Sequence, residues 1–150
     1  MRTAYFDCIA GASGDMMLGA LVDAGLPPEE LKAELAKLHL KDFHLHIDRV
    51  SKNAFSAVKV DVHVHDDTPE RHLADLRKVV EDSDLSDQVK KTAIRIFTRI
   101  CEAEAAIHDS TVDKVHLHEV GGVDAIVDVC GTLAGLEVLG IEKVHVSPFP

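Results

Sequence analysis

Two segments, residues 43–50 and 57–65, alternate apolar and polar side chains so strictly that only extended strands with one buried face accommodate them. In the first, Phe43, Leu45 and Ile47 fall on one side and His44, His46 and Asp48 on the other. In the second, Val58, Val60, Val62 and Val64 oppose Lys59, Asp61, His63 and His65. Lys52-Asn53 between them suits a hairpin turn, because Asn tolerates positive φ. Such a hairpin has one apolar face to cover, and the flanking sequence offers helices to cover it.

Residues 3–8 read as a short strand, followed by the glycine turn Ala10-Gly11-Ala12-Ser13-Gly14-Asp15. An apolar helix is expected over 16–24, with Gly25 fitting its C-terminal cap. Pro27 and Pro28 open a second helix, with Glu29 and Glu30 in the first turn and Leu31, Leu35 and Leu38 on one face. Further helices are predicted over 70–80 and 86–107, the latter carrying Val89, Ala93, Ile96, Ile100, Ala103 and Ile107 at helical spacing. A short extended stretch at 115–119, the most apolar helix at 123–139 and a last strand at 141–147 complete the order. The order β-α-α-β-β-α-α-α-β predicts an α+β fold: a single domain whose small sheet, including an antiparallel hairpin, is layered against several helices.

With 26 acidic and 16 basic residues the net charge is −10, which argues against nucleic acid or an anionic membrane as partner. No apolar run reaches the ~18 residues of a membrane span. The N-terminus has no apolar signal region. Cys8, Cys101 and Cys130 form an odd, scattered set, read as reduced thiols of a cytoplasmic protein. Ten histidines are many for 150 residues, and histidine is a common metal ligand. Four of them, His44, His46, His63 and His65, share the polar face of the hairpin, which a solvated sheet face explains.

Two places concentrate chemistry. The turn around Gly11, Ser13 and Gly14 joins a strand to a helix N-terminus, the physics of an anion cradle. A tight strand-to-helix turn needs glycine in any case, and Asp15 in the first helical turn would repel a bare anion. The second place is His116-Leu117-His118-Glu119-Val120-Gly121-Gly122-Val123-Asp124. His116 and His118, two apart on an extended segment, point to one side, so they suit a shared metal. Asp124 and Asp128 lie one turn apart on the only polar stripe of an otherwise apolar helix, a stripe that continues to Gly131 and Gly135. A buried carboxylate must be paired, hydrogen-bonded or on a metal. The alternative is that Asp124 caps the helix and Asp128 pairs with a nearby Lys or Arg. His72 opens a helix and His108 closes one.

Phe6-Asp7-Cys8-Ile9-Ala10-Gly11-Ala12-Ser13-Gly14-Asp15-Met16, Arg71-His72, Ala103-Glu104-Ala105 with His108, His116-Leu117-His118-Glu119-Val120-Gly121 and Asp124-Ala125-Ile126 resemble, in order, the start of the nickel insertion protein LarC family. The likeness spans nearly the whole chain, departing where Leu117 replaces an expected aromatic and Gly122 a small apolar residue. The resemblance implies a nickel chelatase, a cyclometallase of the lyase class. It inserts nickel into pyridinium-3,5-bisthiocarboxylic acid mononucleotide and so forms the nickel-pincer nucleotide cofactor of lactate racemase-type enzymes. The family's reaction consumes CTP, held with manganese or magnesium by a C-terminal region. Residues 1–150 are therefore expected to be the N-terminal domain, an impression that Pro148 and Pro150 reinforce, and to be incomplete as an enzyme.

On this reading Gly11, Ser13 and Gly14 bind the substrate's oxyanion. His116, His118, Glu119, Asp124, Asp128, Asp7, His72 and His108 are the candidate metal ligands, and Asp15, His116 and Asp124 carry the chemistry. Imidazole suits nickel and releases it more readily than thiolates. The expected partners are a nucleotide-like small molecule and the C-terminal region of the same protein, with a homo-oligomer among the expected assemblies. The rival readings are a non-catalytic nickel metallochaperone or store and a metal-dependent phosphohydrolase.

Overall fold

The computed structural model describes residues 1–41, 43–64, 71–115, 117 and 122–149. Among the described residues nine elements run in order: β1 (Arg2–Phe6), α1 (Gly14–Asp23), α2 (Pro28–Ala36), β2 (Phe43–Lys52), β3 (Phe55–Val64), α3 (Leu73–Glu81), α4 (Asp87–Ile107), α5 (Val123–Val138) and β4 (Ile141–Val146). This is the expected α+β domain with an antiparallel hairpin. Its strands form two separate pairs: β2 with β3, antiparallel, and β1 with β4, parallel.

The hairpin pairs Phe43 with Val64 through to Lys52 with Phe55, so the two-residue turn is Asn53-Ala54, one residue later than the sequence suggests. Both turn residues have positive φ, 51° and 67°. That is the geometry whose twist matches a right-handed hairpin. Asn53 adopts it readily; Ala54 carries no such preference, which is why the sequence alone misplaces the turn.

The valine face of β3 lies under α1. A Cβ at Gly19 would overlap the carbonyl oxygen of Val58, so α1 rests on β3 backbone to side and glycine is required. Val60 at the centre of this contact is fully buried. The opposite flank of α1 meets α5, whose Val123, Ile126, Val127, Cys130 and Ala134 are buried together with Leu18, Leu21, Leu31 and Leu35. Gly131 and Gly135 serve this packing. A Cβ at Gly131 would lie 3.0 Å from Leu18, and one at Gly135 2.9 Å from Leu26. The C-terminal half of the polar stripe on α5 is therefore a slot for leucines.

Helix α4 has the expected extent and buries Val89 and Ala93 as expected, but from there its buried face runs through Phe97, Cys101 and Ala105 rather than Ile96, Ile100, Ala103 and Ile107, and Ile107 is exposed. Ser86 caps it by accepting a hydrogen bond from the Val89 amide at 3.2 Å. All three cysteines are free and buried. Burial pushes the Cys130 thiol up to about 12, so it is a packing residue rather than a thiolate ligand. Among the described residues no helix is long and apolar enough to cross a membrane.

Candidate metal-handling site

The glycine turn after β1 delivers the chain to the N-terminus of α1. Gly11 has φ of +84°, and its amide donates to the Cys8 carbonyl at 3.1 Å. Ser13 takes the N-cap position in an extended conformation, yet its side chain makes no capping bond. Its hydroxyl donates instead to Asp15 Oδ1, which also accepts from the Met16 amide at 2.9 Å. Ser13 thus orients a carboxylate.

Asp128 on α5 points at this turn. A Cβ on Gly14 would overlap the Asp128 carboxylate, so the two helices meet there with no room for a side chain. Among the described residues Asp128 forms no ion pair, and its Oδ1 is buried without a hydrogen-bond partner. Burial, then the negative charges of Asp15 and Asp124, push its carboxyl from an ordinary 3.8 up to about 6. The sequence alternative, an Asp128 neutralised by a local Lys or Arg, is not what these residues form. Asp124 does not cap α5 either: Gly122 holds that position, and Asp124 lies exposed in the first turn.

The structure therefore packs Asp128 on Gly14 near the N-termini of α1 and α5, with Asp15 and Asp124 within electrostatic range of it. A carboxylate that is half buried, unpaired and pressed by two others calls for a cation. Lys59 on β3 feels the charge of Asp15, but its ammonium is engaged by Asp61 at 2.7 Å. Lys59 in turn holds the Asp61 carboxyl below the usual carboxylate range. Among the described residues no group of three or more His, Cys, Asp or Glu is arranged to hold a metal ion.

Other residues singled out in the sequence lie as follows. His116, His118 and Glu119 fall outside the described residues, as does His65 of the hairpin. Asp7 is exposed beyond β1. His72 is the N-cap of α3; its amide donates to Asp75 at 2.9 Å and its Nδ1 lies 3.2 Å from the Val115 carbonyl. Arg71 forms an antiparallel bridge with Leu117, which is buried. His72 and Arg71 thus fasten the start of α3 to Val115 and Leu117, a link with no signal in sequence spacing. His108 caps the C-terminus of α4, 3.4 Å from Glu104.

On the hairpin, His44 and His63 are opposite in register, with rings stacked at 5.0 Å. His46 lies 2.6 Å from Asp48 on the same exposed face. The carboxylate pair on α5 is legible from its helical spacing. The clasp with Gly14 is not, because glycine there reads as backbone freedom rather than as space for another residue's side chain.

Comparison with known proteins agrees with this chemistry. The family described as nickel insertion protein matches residues 4–150. A relative from Desulfitobacterium hafniense, named pyridinium-3,5-bisthiocarboxylic acid mononucleotide nickel insertion protein, is 46% identical over 148 residues, covering 99% of this chain and 37% of its own length. Relatives described as nickel insertion proteins in Dictyoglomus thermophilum and Gloeobacter violaceus are 45% and 46% identical over the whole chain, which covers 39% and 36% of them. This chain thus spans less than two fifths of the length of these relatives. No solved structure matches it. The chain belongs to the nickel insertion protein family.

Proposed function

We propose that this chain takes part in inserting nickel into pyridinium-3,5-bisthiocarboxylic acid mononucleotide. The reaction is a CTP-dependent cyclometallation that yields the nickel-pincer nucleotide cofactor of lactate racemase-type enzymes. The observation that carries the reading is the unpaired, half-buried carboxylate of Asp128, wedged against Gly14 with Asp15 and Asp124 in electrostatic range. Nickel is the substrate. The carboxylates of Asp15, Asp124 and Asp128 attract the ion, and His116, His118 and Glu119, just before α5, add imidazole and carboxylate. Oxygen and nitrogen donors without a thiolate hold nickel loosely enough to hand it on.

The turn at Gly11, Ser13 and Gly14 is the proposed seat for the substrate's oxyanion, with the metal offsetting Asp15 and Asp128. Forming the carbon–nickel bond releases a proton from the pyridinium ring, and Asp15, His116 or Asp124 accepts it. The carboxylate of Asp128, with those of Asp15 and Asp124 in electrostatic range of it, opposes a triphosphate, so CTP with its manganese or magnesium is assigned to the remaining part of the longer family proteins. The proposed location is the cytoplasm, consistent with reduced, buried cysteines.

The test is calorimetric titration of nickel into the chain, followed by conversion of the thiocarboxylate substrate with CTP and the rest of the longer protein present. Binding together with a product heavier by nickel supports the reading. Binding without conversion indicates a nickel carrier or store, and release of phosphate without nickel transfer indicates a phosphohydrolase.

A further inference from the structure

The β1–β4 pair is a two-stranded parallel sheet, and such sheets are normally larger and covered on both faces. Hydrogen bonding shows which groups it leaves open. The Ser147 amide donates to the Phe6 carbonyl at 2.9 Å, and residues alternate along a strand, so Lys143 and His145 turn their backbone groups towards β1. Val144 and Val146 therefore direct their N–H and C=O groups to the outer edge, where no strand lies among the described residues.

The side chains of these two valines are also unfilled. They stand in register with Ala4 and Phe6 and so share the helix-facing side of the sheet. Yet they remain 43% and 49% exposed. Val144 lines a groove of about 520 Å³ together with Val89 of α4 and Leu133 and Leu136 of α5. The helix layer continues past β4 while the sheet layer stops.

We propose that the outer edge of β4 docks a further β-strand supplied by the part of the longer family proteins that this chain does not span. The matched relatives extend far beyond the region they share with the chain, which covers only 36–39% of them. A second copy is a poorer occupant, because two chains each at −10 repel. The inference rests on family membership and not on the nickel reading.

Amide exchange tests it. In this chain, the Val144 and Val146 amides should exchange ~100-fold faster than those of Lys143 and His145. In the full-length Desulfitobacterium hafniense relative, amides at the positions aligned with Val144 and Val146 should be as slow as their inward neighbours. Val144→Lys should leave the melting temperature of this chain unchanged, and the aligned substitution should speed exchange at that edge in the relative. Fast outward amides in the full-length relative would overturn the proposal. So would slow ones in this chain accompanied by a dimer mass in light scattering, since a second copy would then be the occupant.

Discussion

Gly14 and Asp128 interlock: the space where a Gly14 side chain would stand is taken by the Asp128 carboxylate. The first residue of α1 and the second turn of α5 are thereby fixed against each other, and the carboxylate is held away from most solvent with one oxygen unpartnered. Packing and charge are coupled at this point, and the predictions separate them.

Gly14→Ala should displace Asp128. Overpacking of this kind costs about 1–3 kcal/mol, and the new methyl meets Asp128 as far back as its Cβ, so rotation of the carboxylate alone does not relieve it. Nickel affinity should fall along with the melting temperature. Calorimetry showing unchanged affinity would detach the clasp from the metal.

Asp128 also sets a pH dependence. Its folded-state carboxyl titrates near 6 and its ordinary value is 3.8. Between about pH 4 and 6 the folded chain holds a proton that the unfolded chain has released, so stability falls as pH rises through that window and stays lower above it. After discounting for partial exposure this amounts to about 1–2 kcal/mol. In metal-free solution Asp128→Asn should melt with the unsubstituted chain at pH 4 and roughly 2–8 °C above it at pH 7.5. Equal melting at both pH values would show that the charge is already compensated.

The hairpin histidines should be dispensable for nickel. Replacing His44, His46, His63 and His65 with Gln removes the stacked cross-strand pair of His44 and His63, worth about 0.2–1 kcal/mol of stability. It should change nickel affinity in a calorimetric titration less than ~3-fold, well below the effect of losing a ligand or its support. Loss of the tight site would move the metal to the sheet face.

Association should rise on acidification. The chain carries ten histidines against a net charge of −10, and histidine is the side chain that ordinarily gains a proton on mild acidification, so lowering the pH brings the net charge nearer zero and weakens self-repulsion. Light scattering should increase from pH 7.5 to 5.5; a flat trace would contradict this.

Much of the fold is legible in the sequence because its periodicities are unambiguous. The alternation that begins at Phe43 yields β2, and the spacing from Val89 to Ile107 yields the extent of α4, Asp87–Ile107, although beyond Ala93 the face that packs is Phe97, Cys101 and Ala105. Two features escape. That β1 pairs with β4 rather than with the hairpin depends on contacts between the two ends of the chain, for which no local pattern exists. Gly131 and Gly135 look like part of a functional stripe with Asp124 and Asp128, but leucines from α1, α2 and the turn between them fill them. Helical spacing assigns residues to a face and says nothing about what packs on it. At the site, the same spacing pairs the two aspartates correctly, while the partnership of Asp15 and Gly14 with Asp128 requires the packing of α1 on α5.

Whether Asp128 helps to receive nickel is decided by an anomalous-difference map recorded at the nickel edge from crystals of the nickel-loaded chain. A peak is expected within coordination distance of the Asp128 carboxylate, about 2.0–2.2 Å as for other first-row divalent ions, with Asp15 or Asp124 beside it. A peak confined to the His44–His63 face, with none at Asp128, would contradict that role.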